Sequence, residues 1–247
     1  MSERGRIKVE KAGKRVRTML GGEVVADSHR VLMVWEIPYY PTYYFPADDV
    51  NMGSLVDSGE TKKSPSRGVA TLYDVKAGGK QGKAYSYADP EIEQLAGHVS
   101  FDWGTMDHWF EEDEEVFFHA RDPYTRLDIL PSSRRVRVEI DGVTVADSTN
   151  GSFLFETNLP TRYYLPKTDV RMDLLTPTDL ATHCPYKGTA RYWSVEVNGE
   201  THENLVWGYD APLPESQGIM GLVSFYNEKL DIYIDEVLEE KPKTKFG

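Results

Sequence analysis

Three short segments in the second half of the chain, 156–166, 184–195 and 207–214, carry the residue types that could hold a small molecule. Aromatic rings bind flat or cationic groups by stacking, and a carboxylate with an ammonium group orients polar ones. If the segments converge, they form an aromatic-walled pocket with one anion and one cation. We expect its ligand-binding residues to be Glu156, Tyr163, Tyr164, Tyr186, Lys187, Trp193, Trp207 and Tyr209.

The run Cys-Pro-Tyr-Lys-Gly at 184–188 predicts a tight loop before a strand. Its proline restricts one φ angle and its glycine permits a positive one. The loop would therefore present Tyr186 and Lys187 in a defined direction. Cys184 directly follows His183, but neighbours on a strand point to opposite faces, so we expect a small packed thiol rather than a catalytic dyad.

Three functions fit these residues. The first, which we favour, is a small-molecule binding module. The second is an enzyme using the same pocket, with Lys187 as an acid or electrostatic stabiliser and Glu156 or Tyr209 as a proton carrier. The third is an interaction scaffold that uses the acidic stretch 111–115 or the docked faces of two domains. Tyr and Trp also pack in the cores and cross-strand pairs of small β domains, which is the plainer alternative for each aromatic residue.

The composition disfavours several classes of partner. A net charge of −12 repels phosphate backbones, so we expect no nucleic acid. One cysteine and six histidines without ligand spacing predict no metal, and we find no phosphate-cradling or dinucleotide motif that would predict a cofactor. The sequence contains no run of about 18 apolar residues, so we expect no membrane span. The single cysteine and the polar N-terminus favour the cytoplasm, and the oligomeric state is left open.

An internal repeat positions these residues. Residues 15–75 and 135–195 align without a gap at a separation of 120 positions, and 20 of the 61 aligned residues are identical. Average composition would give about 4 by chance. The match continues with small insertions, so we interpret the chain as two tandem copies of one domain, at 15–118 and 135–238, joined by an ordered connector at 119–134.

Strand signals dominate both copies. Runs of alternating apolar and polar residues flank Asp141-Gly142 and Asn198-Gly199, dipeptides that favour two-residue hairpin turns. We also expect a strand pair from 222–226 and 230–234. Short helical turns are expected at 90–96 and 169–175. The sequence therefore predicts a mostly β fold of two tandem small-sheet domains with few short helices.

Four motifs carry a family resemblance. They are Tyr-Tyr-x-Pro-x-x-Asp-Val from 163, Cys-Pro-Tyr-Lys-Gly-x-Ala-x-Tyr-Trp-Ser-Val from 184, Trp-x-Tyr from 207 and Gly-Leu-Val-Ser-Phe-Tyr from 221. With these motifs the chain resembles the bacterial and fungal family called domain of unknown function 427, over nearly its whole length and in two copies. The resemblance implies a β-tent-like (Mss4-like) fold, in which two small sheets meet at an angle and relatives bind small ligands in aromatic cages.

The resemblance also limits the chemistry. Many relatives of that fold carry a zinc knuckle, whose cysteines this chain lacks, so zinc is not expected. The family is sometimes labelled nucleotidyltransferase-like, but no carboxylate pair placed for magnesium and no phosphate-cradling loop is evident. The first copy departs from the family at 64–68, Ser-Pro-Ser-Arg-Gly, which removes the aromatic residue and keeps the positive charge. We therefore expect the working site in the second copy.

Overall fold

The computed structural model describes residues 7–244, and strands dominate it. The chain divides into two compact units with the boundary between Asp122 and Pro123. No α-helix occurs within residues 7–244, where all helical segments are short 3-10 turns. The prediction of two tandem, mostly β domains is therefore confirmed, while the β-tent-like likeness stays a prediction. None of the helical segments between residues 7 and 244 has the length and apolar character that a bilayer span requires.

Unit 1 contains two antiparallel sheets. Its strands are β1 (Val9–Lys11), β2 (Val16–Leu20), β3 (Glu23–Ser28), β4 (Leu32–Val34), β5 (Thr42–Pro46), β6 (Leu55–Ser64), β7 (Gly68–Ala77), β8 (Lys80–Tyr87), β9 (His98–Phe101), β10 (His108–Glu111) and β11 (Glu114–Glu115). The 3-10 turns are η1 (Ala47–Asp49), η2 (Met52–Ser54), η3 (Glu93–Leu95) and η4 (Trp103–Thr105). The larger sheet has the order β1-β4-β5-β9-β8-β7-β6, and the smaller has the order β11-β10-β2-β3.

Unit 2 repeats this plan. Its strands are β12 (Leu127–Ser132), β13 (Val136–Ile140), β14 (Val143–Ser148), β15 (Gly151–Glu156), β16 (Arg162–Leu165), β17 (Leu175–Cys184), β18 (Gly188–Val197), β19 (Glu200–Gly208), β20 (Val223–Phe225), β21 (Asp231–Ile234) and β22 (Val237–Leu238). The 3-10 turns are η5 (Lys167–Asp169), η6 (Met172–Leu174) and η7 (Pro214–Ile219). The sheet orders are β12-β15-β16-β20-β19-β18-β17 and β14-β13-β21-β22.

An edge strand opens each larger sheet outside the aligned repeats. β1 precedes residue 15 and pairs with β4, and β12 pairs with β15 along its whole length. β12 lies within the stretch 119–134, which the sequence suggests as a connector. The repeated unit of structure is thus longer at its N-terminal side than the stretch over which identical residues recur.

The hairpin turns follow their sequences. Asp141 and Gly142 have φ angles of 48° and 78°, and Asn198 and Gly199 have 52° and 79°. A type I′ turn needs positive φ at both central positions, which Asp, Asn and Gly tolerate best. These two predicted hairpins are confirmed. The predicted strand pair from 222–226 and 230–234 is wrong, because β20 pairs with β16 and β19 while β21 pairs with β13 in the other sheet.

Alternation along the strands separates two apolar clusters in each unit. In unit 2, the inner cluster joins the smaller sheet, through residues such as Val138 and Ile232, to one face of the larger sheet. The outer cluster lies on the opposite face of the larger sheet, because successive strand residues point to opposite sides. Its buried members are Leu154, Tyr164, Ala190, Tyr192, Trp207, Tyr209 and Ile219. Unit 1 has the same division, with Tyr43 in its inner cluster and Tyr44 in its outer cluster.

Candidate functional site

The loop at 184–188 brings a cation to the end of β15. Cys184 on β17 pairs with Gly188 on β18, whose φ of 93° closes the turn. In this turn Lys187 points its Nζ at Glu156, and the two side chains form an ion pair, 10% and 7% exposed. The predicted tight loop and its direction are therefore observed. Few lysines are buried this far without such a partner.

The outer cluster of unit 2 lies beside this pair. Trp207 Nε1 donates a hydrogen bond of 3.1 Å to the hydroxyl of Tyr164, and their rings meet edge to face with centroids 6.3 Å apart. The ring of Tyr209 lies 6.5 Å from that of Tyr164. Burial raises the pKa of both tyrosines well above its ordinary value, and the negative charge of Glu156 adds to the shift. Both phenols therefore stay protonated at neutral pH.

Two of the eight expected residues point the other way. Tyr163 and Trp193 belong to the inner cluster, on the opposite face of the larger sheet from Tyr164 and Trp207. The ring of Tyr163 packs edge to face on Phe153 at 4.8 Å, and burial raises its pKa to about 12. The expected convergence of all eight residues is wrong at these two positions, because adjacent strand residues cannot share a face.

Tyr186 lies in the loop itself and is buried, 7% exposed. Its carbonyl accepts a hydrogen bond of 3.1 Å from Ser216 Oγ in η7, the turn that follows the Trp207–Tyr209 segment. Tyr186 thus links the Cys-Pro-Tyr-Lys-Gly loop to the chain segment that covers the outer cluster. The structure brings together Glu156, Tyr164, Tyr186, Lys187, Trp207 and Tyr209 around one face.

Unit 1 builds the same arrangement with an arginine. Arg67 Nη2 lies 3.1 Å from Glu36 Oε2, and Arg67 Nε donates a hydrogen bond of 3.0 Å to the hydroxyl of Tyr87. Glu36 also accepts from the hydroxyl of Tyr85 at 2.9 Å and from the hydroxyl of Tyr44. Three polar groups therefore share the Glu36 carboxylate, and Tyr87 joins the network through Arg67.

A cavity of about 450 Å³ opens beside this network in unit 1. Its lining includes the charged residues Glu36, Arg67 and Asp102. Aromatic lining residues include Tyr73, Tyr85, Tyr87, Trp103 and Trp109. The rings of Trp103 and Trp109 stack face to face with their centroids 4.4 Å apart, which stiffens this wall.

The comparison with known proteins bears on both units. The sequence model of the family described as domain of unknown function (DUF427) matches residues 8–112 and 128–236. The chain belongs to the DUF427 family. It carries two DUF427 domains in tandem, one in each compact unit. A search of curated proteins gives no significant match.

The two DUF427 repeats differ in the size of the side chains at the positions that line the cavity. Four residues that line the cavity of the first repeat have larger counterparts in the second. Thr42, Leu72, Tyr85 and Asp102 correspond to Arg162, Tyr192, Trp207 and Tyr226. The larger side chains pack on one another, with the rings of Trp207 and Tyr226 only 4.6 Å apart. The second repeat thus occupies with its own atoms the region that the first leaves open.

Arg162 is the main polar part of this filling. Its Nη1 and Nη2 donate to the two carboxylate oxygens of Glu228 at 2.6 Å each, and the two side chains are 9% and 1% exposed. The guanidinium also lies 5.5 Å from the Trp207 ring, within reach of a cation–π interaction. Sequence reasoning missed Arg162 and Glu228. The available signal was the alignment of Arg162 with Thr42, a gain of charge at the start of an apolar strand.

The residues that could hold a metal ion lie elsewhere in the second DUF427 repeat. Asp141, Glu200 and His202 converge at the hairpin end of unit 2, and their ligand atoms all lie within 4.8 Å of one another. This cluster is separate from the aromatic residues around Glu156 and Lys187.

Proposed function

We propose that this protein is a small-molecule binding module whose binding site is the cavity of its first DUF427 repeat. The observation that carries the proposal is a cavity of about 450 Å³ that is lined by aromatic rings and a partly buried ion pair. Ligand pockets typically measure about 300–1,000 Å³ and combine apolar walls with a few fixed polar groups. The cavity supports a site in the first repeat, whereas the sequence motifs favour the second.

The lining defines the chemical class of the ligand. Tyr85 and Tyr87 offer aromatic rings on the face that carries Arg67, and its guanidinium presents planar donors beside them. Glu36 is paired with Arg67 and also accepts hydrogen bonds from Tyr44 and Tyr85, so its charge is balanced without a ligand cation. We therefore favour a small aromatic or otherwise flat molecule that carries a hydrogen-bond acceptor for Arg67.

Filling the cavity with side chains of the second repeat should abolish binding. In the double variant Leu72→Tyr, Tyr85→Trp, the added atoms occupy the ligand volume. We expect a panel of small aromatic carboxylates, amides and amines, followed by saturation-transfer NMR, to give signals with the parent and none with this variant. Val69→Tyr adds comparable bulk at an exposed position of the same strand and serves as the control. Equal binding to the parent and the double variant would place the ligand elsewhere and overturn the proposal.

The enzyme alternative has weaker support. A proton carrier works best when its pKa lies near the operating pH. Burial moves the pKa of Tyr209 in the opposite direction, well above its ordinary value. In the first repeat, burial likewise raises the pKa of Tyr85. The phenols are thus suited to donating hydrogen bonds to a bound molecule rather than to exchanging protons with it.

The scaffold alternative relied on the acidic stretch 111–115, which forms the β10–β11 hairpin. Its side chains have partners inside unit 1. Glu111 pairs with Lys14, Glu112 accepts from the Arg15 amide, Asp113 pairs with Arg17, Glu114 with Arg121 and Glu115 with His108. Glu111 is buried and accepts a hydrogen bond of 2.5 Å from the Tyr43 hydroxyl. These carboxylates are engaged within the domain, which makes them a poor docking surface for a basic partner.

A further inference from the structure

Three potential metal ligands that lie outside the aromatic motifs meet at one corner of unit 2. Asp141 is the first residue of the turn between β13 and β14, where its φ is 48°. Glu200 begins β19 and His202 follows two residues later, so that both side chains point to the same side of the strand. One ligand atom from each residue lies within 4.8 Å of the other two.

The imidazole of His202 is held in an unusual way. Its Nε2 is buried and lies 3.0 Å from Asp141 Oδ2. Among residues 7–244, however, this nitrogen has no partner in hydrogen-bonding geometry. A buried polar atom without such a bond costs about 1–3 kcal/mol unless another group satisfies it. A metal ion between the nitrogen and the carboxylate would do so.

The spacing suits a shared ion. Nitrogen and oxygen ligands at about 2.1 Å from one metal lie about 3.0–3.4 Å apart. His202 Nε2 and Asp141 Oδ2 are 3.0 Å apart, so the two atoms reach one ion without a large movement. A cavity of about 320 Å³, lined by Asp141 and His202 among others, adjoins the corner and gives water access.

The charges around this corner favour a cation. Asp141 and Glu200 place two carboxylates close together, and Glu200 has no ion-pair partner among the described residues. The cavity beside them is lined by further titratable groups. These are Glu139, Glu203, Asp231, Lys229 and Lys241. Lys241 is already paired with Asp231 at 2.9 Å, and Glu139 is paired with Arg137.

The first repeat shows that the fold does not require these ligands. Gly21, Lys80 and Gly82 occupy the positions equivalent to Asp141, Glu200 and His202. There Lys80 pairs with Asp107 at 2.8 Å, and no coordinating group stands at any of the three positions. All three ligand residues thus occur together in the second repeat and are all missing from the first. This is expected if they act together at a binding site, because the first repeat folds without them.

We propose that Asp141, Glu200 and His202 bind a divalent first-row transition-metal ion. The imidazole favours such an ion over Mg²⁺ or Ca²⁺, which prefer oxygen ligands throughout. This site is independent of the aromatic cavity in unit 1. It also departs from the expectation, drawn from cysteine and histidine spacing, that the protein binds no metal.

Calorimetric titration of the full chain, stripped with EDTA, tests the proposal with MnCl₂, NiCl₂ and ZnCl₂ as probes and MgCl₂ as the comparison. We expect saturable binding of one transition-metal ion per chain, weakened at least about tenfold in His202→Ala and in Glu200→Gln. Glu200 is exposed, so its replacement tests the site without disturbing the core. His183→Ala removes an exposed histidine elsewhere in unit 2 and should bind like the parent.

Two results would overturn this site. One is the lack of saturable binding of any of the three ions by the parent. The other is equal affinity in the parent, His202→Ala and Glu200→Gln, which would place the ion on other residues. A zinc-induced shift of the His202 ring nitrogens in an imidazole-detected NMR spectrum gives a second readout that does not depend on the variants folding.

Discussion

Replacing Arg162 with alanine should lower the free energy of unfolding of unit 2 by about 3–5 kcal/mol, because it leaves the Glu228 carboxylate buried without its partner. The two side chains are 9% and 1% exposed and share two hydrogen bonds of 2.6 Å. The arginine also covers the Trp207 ring, so its removal opens space in the outer cluster. Denaturant titration followed by tryptophan fluorescence measures the loss.

The control is an ion pair of the same unit that lies in solvent. Arg126 and Asp128 are 79% and 41% exposed, and Arg126→Ala should cost less than about 1 kcal/mol. The double variant Arg162→Met, Glu228→Leu removes both charges and should recover much of the stability. If Arg162→Ala costs no more than Arg126→Ala, the pair does not stabilise the filled site.

Lowering the pH should weaken the stabilisation that the Arg162–Glu228 ion pair provides. Burial acts to raise the pKa of Glu228, but the hydrogen bonds from Arg162 and Thr244 outweigh it, and the pKa lies below its ordinary value. The stabilisation is therefore fully present above the pKa of this group in the unfolded chain. It disappears as the pH falls through the lower pKa of the folded state. The stability difference between the parent and Glu228→Gln should shrink over that acid range.

Replacing Gly78 with alanine should destabilise unit 1 by about 2–5 kcal/mol, the sum of a strained backbone and a steric clash. Gly78 has a φ of 51°, and a Cβ at this position would lie 1.9 Å from the backbone oxygen of Gly21. Two hairpin turns touch here through their backbones, and neither can yield as a side chain would. Hydrogen exchange of the β7 and β8 amides should accelerate in the variant.

Its neighbour provides the matched comparison. Gly79 has a φ of 76°, and a Cβ there would have no atom within 4 Å. Gly79→Ala therefore carries only the backbone strain of about 1–2 kcal/mol. Equal losses in the two variants would show that strain alone acts at Gly78 and that the close approach to Gly21 is unimportant.

The local parts of the fold could be predicted because they depend on short-range rules. The turns at Asp141-Gly142 and Asn198-Gly199 follow from the φ preferences of those residues. The predicted strand pair at 222–226 and 230–234 was wrong because distant strands compete with the local hairpin for the same backbone groups. Its first strand joins the larger sheet through β16 and β19, and nothing within ten residues of the turn reveals those partners.

The candidate site could be predicted only in part. The Glu156–Lys187 contact follows from a motif that fixes the loop. The separation of Tyr163 from Tyr164 follows from strand alternation, once the strand is known. The location of free volume could not be predicted, because it depends on what four side chains on different strands do together. Arg162 alone, without Glu228 and Trp207 around it, gives no sign that the second site is filled.

Because one repeat has an open cavity and the other does not, the thermal unfolding of the protein can report how much ligand is bound. Every residue that lines the larger cavity precedes the boundary at Asp122, and each unit has a separate apolar core. If the two units unfold independently, a molecule that binds only folded unit 1 raises the melting temperature of that unit by mass action and leaves the other melting transition unchanged. The spread between the two transitions in a single calorimetric trace would then report the degree of saturation, with the second repeat as an internal standard within the same chain.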